Sequence, residues 1–166
     1  MTPARFIATW FGVGLLRPAP GTWASAVAVM LGVLIHRLGH FPLLAAATVA
    51  VTILGFWSVE AASRGDAHKD RSEFVIDEVA GQWLALSFAS AGFWFAGAPS
   101  TMFPWPAPVA AFLFFRLFDI WKPWWVGRLD RRTDAAGVML DDLAAGALAG
   151  VCTILAAAIA HGVFLR

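Results

Sequence analysis

The sequence contains no tyrosine and only one cysteine among 166 residues, and just 14% of its residues are charged. A single cysteine, Cys152, inside an apolar run, excludes an internal disulfide and a Cys-x-x-Cys redox or zinc motif. A soluble domain carries about 25% charged and about 45–50% apolar residues. With 60% hydrophobic residues and a mean hydropathy of +0.71, this chain reads as a membrane protein instead. A net charge of +1 gives no reason to expect a nucleic-acid partner. Several catalytic signatures are missing as well. There is no Gly-x-Ser-x-Gly elbow, no Gly-x-x-x-x-Gly-Lys loop, no Asp-x-Asp start and no arginine loop after Cys152. The histidines have no arrangement that would support a phosphohistidine, and His68 has no helical His or Cys partner for zinc. Gly12, Gly14, Pro18 and Pro20 interrupt the N-terminal apolar residues, so no cleavable signal peptide is expected.

What the chain does have is long apolar runs. A membrane helix needs about 20 mainly apolar residues. Residues 18–35, 41–59, 79–97 and 143–165 come close, the first reduced by Pro and Gly to a good helix over 23–35. A shorter run over 107–121 carries Arg116 and Asp119 near its end. The four prolines in "GAPSTMFPWPAP" (97–108) predict a turn or interfacial loop. Nine tryptophans suit a bilayer interface. Gly and Ala in "AAGALAG" (144–150) allow close helix packing. The expected fold is an all-α integral membrane bundle of four to five spans, in one domain covering residues 1–166.

The few charges are concentrated. All eleven acids lie between Glu60 and Glu78 or between Asp119 and Asp142. Ten of the twelve basic residues lie in those segments, on the N-terminal arm or at Arg116, leaving Arg37 and Arg166 elsewhere. If five spans cross, both charged segments and the N-terminal arm share one side, and the positive-inside rule makes it cytoplasmic.

Four stretches carry the candidate chemistry. In "LLRPAPGTWAS" (15–25), Thr22 is a candidate N-cap and Gly21 permits a tight turn. A helix N-terminus there attracts an anion such as phosphate. In "DAHKDRSEFVIDEVAGQW" (66–83), Asp70, Asp77 and Glu78 precede an uncharged run of nearly forty residues. Gly81 leaves room beside Asp77 for a ligand or a neighbouring helix. Alone, such acids read as first-turn residues favoured by the helix dipole, by about 0.3–1 kcal/mol. In "FFRLFDIWKPWWVGRLDRR" (114–132), Arg116, Asp119 and Lys122 share one side of a helix that Lys122-Pro123 ends. The plain alternative is an internally compensated ion-pair row. In "GVMLDDLAAG" (137–146), Asp141 and Asp142 form a second acid pair before an apolar span, where the helix-start reading applies again.

The set is more informative than any member. Clustered carboxylates without His or Cys select a hard cation, and Mg²⁺ bridges carboxylates to phosphate oxygens. Beside Lys and Arg, such a cluster describes a phosphoryl-handling site at headgroup depth. Water attacking phosphorus directly is the expected chemistry, and an aspartate nucleophile remains open.

The blocks "FGVGLLRPAPGTWAS", "SEFVIDEVAGQW", "FRLFDIWKP" and "GVMLDDLAAG" resemble, in order and spacing, the signature blocks of the phosphatidylglycerophosphatase A family. The resemblance covers about residues 9–150. It implies an Mg²⁺-dependent, all-helical membrane phosphatase of bacterial inner membranes. Such an enzyme removes the terminal phosphate of phosphatidylglycerophosphate, with its site facing the cytoplasm. The matching acids are Asp70, Asp77, Glu78, Asp119, Asp130, Asp141 and Asp142. Trp125, Ala24, Ala135 and Ala136 depart from residues common in the family, without loss of a candidate ligand.

The resulting expectation assigns metal binding to Asp77, Glu78, Asp141, Asp142, Asp119 and Asp70. Asp77, Glu78, Asp142 and Lys122 carry catalysis. Gly21, Thr22, Arg116, Lys122 and Arg128 bind substrate. The competing readings are a small ion or proton transporter using the membrane-edge carboxylates, and a scaffold whose acids only cap helices.

Overall fold

The computed structural model describes residues 1–64, 72–132 and 134–164, with side chains to residue 161. Every regular element among the described residues is helical. These are α1 (Pro3–Ala8), a 3₁₀ turn (Val13–Leu15), α2 (Pro20–Ala62), α3 (Ile76–Phe95), α4 (Pro106–Trp121), α5 (Val126–Asp130) and α6 (Ala135–Phe164). Two helical stretches, Pro20–Ala62 and Ala135–His161, are long and apolar enough to cross a membrane.

The long α2 is broken in its middle. Gly39 (φ −154°, ψ 19°) and His40 (φ 58°, ψ −156°) leave helical geometry, and Pro42 follows. Pro42 has no N–H to donate and sits where a new helix begins. The His40 ring stabilises the break. Its Nδ1 accepts the Phe41 N–H at 2.9 Å, so Nε2 donates to the Ala98 carbonyl at 3.0 Å. The contacts on either side show that the chain reverses here. In the first arm, Ala28 accepts from Trp83 Nε1 at 2.8 Å, and His36 Nδ1 meets Ser90 Oγ at 2.7 Å. In the second arm, Thr48 meets Ser87, and Gly55 faces Met139 and Ile76. The arms therefore run in opposite directions along α3. They correspond to the two apolar runs 18–35 and 41–59.

α6 runs beside α3 in the same sense. Gly81 faces Asp142 and Gly146, Gly150 faces Phe88, and Gly92 faces Ile154. A Cβ on Gly81 would lie 2.5 Å from the Asp142 carbonyl oxygen and 2.6 Å from Phe115. The room beside Asp77 is thus filled by neighbouring helices. Several Ser and Thr hydroxyls in this interior donate to their own helix, as in Ser87 to Trp83 and Thr153 to Ala149, both at 2.8 Å, while Ser90 meets His36. Among the described residues, no buried Ser or Thr hydroxyl is left without a hydrogen-bond partner.

Two boundaries differ from the sequence expectation. α2 starts at Pro20 with Ala19 as N-cap, so Thr22 lies inside the first turn and caps nothing. Proline fits this position because its missing N–H has no partner there anyway. α6 starts at Ala135, well before the apolar run at 143. Asp141 and Asp142 consequently lie beyond its first turn, which holds no acid, and the helix-start explanation does not apply to them.

The outer faces of the bundle are apolar, with Leu38, Ile53, Leu113 and Leu155 exposed. Exposed tryptophans gather at the two ends. Trp23, Trp57, Trp121, Trp124 and Trp125 are at one, and Trp94 and Trp105 at the other. Replacing Gly146 with Leu should lower the thermal midpoint in detergent, because overpacking a close crossing costs about 1–3 kcal/mol. Gly92→Ala, whose added carbon meets only Ile154 at 3.8 Å, should stay within about 0.5 kcal/mol of the parent.

Candidate active site

The α3–α6 crossing carries the chemistry. Asp77 and Glu78 occupy the first turn of α3, and Asp142 comes from the facing turn of α6. One oxygen from each of Asp77, Glu78 and Asp142 can be chosen so that all lie within 4.8 Å of one another. Asp77, Asp141 and Asp142 are buried. Asp77 Oδ1 accepts the Glu78 N–H at 3.0 Å, which fixes the first carboxylate against its own helix. Glu78 Oε2 and Asp141 Oδ1 are buried with no hydrogen-bond partner among the described residues.

α4 brings the next residues. Its C-terminal end contributes Asp119, whose carboxylate pairs with Arg116 one turn earlier. Lys122 caps the helix in the left-handed region (φ 49°, ψ 57°). Pro123 disfavours helical geometry at Lys122, so the chain leaves the helix there. The turn directs Lys122 away from the Arg116–Asp119 row. Its Nζ donates to Asp141 at 2.9 Å and also to Asp130, at the end of α5. Burial disfavours the ammonium. The hydrogen bonds to Asp130 and Asp141 outweigh that cost and raise its pKa above the ordinary lysine value, so it stays cationic at neutral pH.

These side chains line one cavity of about 110 Å³ at the charged end of the bundle. Asp77, Glu78, Asp119, Asp141, Asp142 and Lys122 contribute to it, together with Asp130 and Arg132. Six sequence-expected residues therefore come together. Arg116, Gly21, Thr22 and Arg128 do not line the cavity. Arg116 is engaged with Asp119. Gly21 is pressed against the Glu78 carboxylate, and a Cβ there would also lie 3.2 Å from Arg116 Nη1. The start of α2 thus faces a carboxylate of the protein itself where a substrate anion was expected. Arg128 points out from α5 and is exposed. Asp70 lies outside the described residues.

In the sequence only the motif match points to Asp130, and nothing assigns a role to Arg132. Lys122 and Asp130 are joined by a turn and a short helix, so no helical spacing links them. The pattern Arg132-x-Asp134 just before a helix was the available local signal for Arg132.

Comparison with known proteins defines the class first. The sequence profile described as Phosphatidylglycerophosphatase A matches residues 6–157. A Phosphatidylglycerophosphatase A from Haemophilus influenzae is 32% identical over 87% of this chain and 83% of its own length. One from Escherichia coli is 29% identical, over 88% and 78%. A Bacteroides thetaiotaomicron protein named "Putative phosphatidylinositol-3-phosphatase" is 32% identical, over 95% and 92%. No solved structure matches. By class, the chain is a phosphoric monoester hydrolase. It belongs to the phosphatidylglycerophosphatase A family.

The contact between Gly21 and Glu78 gives a direct test. Gly21→Ala should displace the Glu78 carboxylate and lower phosphatase kcat/KM by about 100-fold, the scale of a 1 Å misplacement. Circular dichroism should show unchanged helix content. Parental activity in this variant would mean that Glu78 can shift without consequence.

Proposed function

We propose that the protein is a multi-pass membrane phosphatase that removes the terminal phosphate of phosphatidylglycerophosphate, releasing phosphatidylglycerol, at an Mg²⁺ site facing the cytoplasm. The observation that carries this reading is the convergence of Asp77, Glu78 and Asp142 beside Lys122, in a chain of this family.

The membrane part rests on the helices. The two arms of α2, with α3, α4 and α6, give five passes. The arms and α6 are each about 20 residues or longer, enough for a hydrocarbon core of about 30 Å. Their outer faces are apolar, and the exposed tryptophans at both ends resemble interface belts. Arg5 pairs with Glu73 at 2.8 Å, which brings the N-terminal arm to the end that holds Lys122 and the acids. The charge-rich end is then cytoplasmic by the positive-inside rule, in a bacterial inner membrane.

The residues present fit Mg²⁺. The donors are all carboxylate oxygens, and two are buried without a partner among the described residues. Three ionised carboxylates this close repel one another, and a cation among them removes that repulsion. Asp77, Glu78 and Asp142 would hold the ion, with Asp141 and Asp119 beside them. Bound there, Mg²⁺ supplies charge neutralisation and polarises the phosphoryl group. Lys122, kept cationic and anchored by Asp141 and Asp130, offsets the charge that grows on the phosphoryl oxygens. Arg116 holds Asp119 in place. As water bonds to phosphorus and the ester P–O bond breaks, a free carboxylate oxygen takes the water's proton. The resulting carboxylic acid then gives that proton to the leaving glycerol oxygen, which restores the carboxylate.

The transport reading has no comparable support. Beyond the acid pairs, α3 has no charged residue, and α6 has none before His161. A transport path needs ionisable groups near the midplane. The name of the Bacteroides relative favours a second lipid, phosphatidylinositol 3-phosphate, as an alternative substrate for the same site.

Purified protein should release phosphate from phosphatidylglycerophosphate with Mg²⁺, faster than from phosphatidylinositol 3-phosphate, and EDTA should abolish the release. Asp77→Asn and Asp142→Asn should each lower kcat/KM by about 100-fold or more. Full activity in either variant removes that residue from the mechanism, and the reverse substrate preference favours the inositol lipid.

A further inference from the structure

We infer that Arg132, held by Asp134 at the mouth of the cavity, is the specificity residue that grips the second phosphate of the lipid, the diester that survives the reaction. The inference rests on the lipid-phosphatase reading above. Phosphatidylglycerophosphate carries two phosphates, a terminal monoester that is cut and a diester that stays with the lipid. Phosphatidylinositol 3-phosphate has the same pair. A site for either lipid gains affinity and selectivity from a second anion contact away from the scissile bond.

Among the described residues, two cations line the cavity, and they are differently committed. Lys122 is engaged with Asp130 and Asp141 among the carboxylates, and its side chain is 31% exposed. Arg132 lines the same cavity, but its side chain is 51% exposed, which puts it at the rim. The guanidinium there is held in a fixed direction. Its Nε donates to Asp134 Oδ1 at 3.0 Å and its Nη2 to Asp134 Oδ2 at 2.7 Å. Asp134 Oδ1 also accepts the Gly137 N–H at 3.0 Å, so this carboxylate caps the start of α6 as well. Gly137 is needed for the approach. A Cβ there would lie 2.6 Å from both the Cβ and the carbonyl oxygen of Arg132.

The fork to Asp134 uses one edge of a guanidinium that carries five N–H donors. Nη1 forms no hydrogen bond to a described residue. A planar, permanently charged group with a free edge suits a phosphodiester, which offers two unesterified oxygens. Lys122, a point charge among carboxylates, suits the scissile monoester. The two cations thus match the two phosphates.

The test is steady-state kinetics of full-length Arg132→Gln, Arg132→Lys and Asp134→Asn in detergent micelles with Mg²⁺ and phosphatidylglycerophosphate. Phosphatidylglycerol, which keeps the diester, and inorganic phosphate serve as inhibitors. For Arg132→Gln, KM and the phosphatidylglycerol inhibition constant should rise together by about tenfold, the loss of one charge-assisted hydrogen bond. Both kcat and the inhibition constant of inorganic phosphate should stay within about twofold. Arg132→Lys should recover part of the KM, and Asp134→Asn should shift it in the same direction by less. Equal weakening of both inhibitors, a fall in kcat at constant KM, or no change would overturn the assignment. A parent protein that is inactive on phosphatidylglycerophosphate would instead overturn the substrate reading, and this inference with it.

Discussion

The close crossing of α3 and α6 is the contact on which the rest of the structure depends. Gly81 and Gly146 let the two backbones approach until the carbonyl oxygen of Asp142 lies where a side chain on Gly81 would begin. Without water in an apolar bundle, packing at this distance is a main source of helix association. The same contact sets the spacing of the acids. Asp77 is one turn before Gly81, and Asp142 is one turn before Gly146. Bringing the glycines together therefore brings the carboxylates together, and the energy of apolar packing offsets the repulsion of the acids.

Around this crossing, the other elements act as braces. The first arm of α2 presses Gly21 against Glu78. α4 supplies Asp119 with Arg116 to hold it. The turn after α4 places Lys122 between Asp130 and Asp141. Glu78, Asp119, Asp130 and Asp141 thus each have a neighbour that fixes their position, while two buried carboxylate oxygens are left without a hydrogen-bond partner among the described residues. Fixed groups of defined charge suit phosphoryl transfer, where positioning and electrostatics supply most of the catalysis. The glycines carry as much of the site as the acids, although none of them offers a side chain to the reaction.

At the opposite end, the chain solves a different problem. The turn at Gly39–His40 frees backbone groups close to an apolar environment. The His40 ring satisfies one of them and ties the turn to Ala98 at the end of α3. This end has the proline-rich loop and few charges. The difference between the ends is therefore built into both composition and hydrogen bonding.

The sequence by itself determined the helical class, the five apolar stretches, and the residue types that meet at the charged end. Long apolar runs and proline breaks are local signals, and acids beside lysine and arginine reveal their chemistry by type. The glycines at 81 and 146 were legible as close-packing positions, but their partners were not. Tertiary structure alone decided that Asp141 and Asp142 lie beyond the first turn of α6, and that Glu78 meets the start of α2. It also brought Arg132 to the cavity, whereas the Arg116–Asp119 pair, three residues apart on one helix, was legible in the spacing. These outcomes depend on which helix lies against which, and on where a left-handed residue such as Lys122 sends the chain. Sequence spacing reports faces within one helix; distances between helices are set by packing.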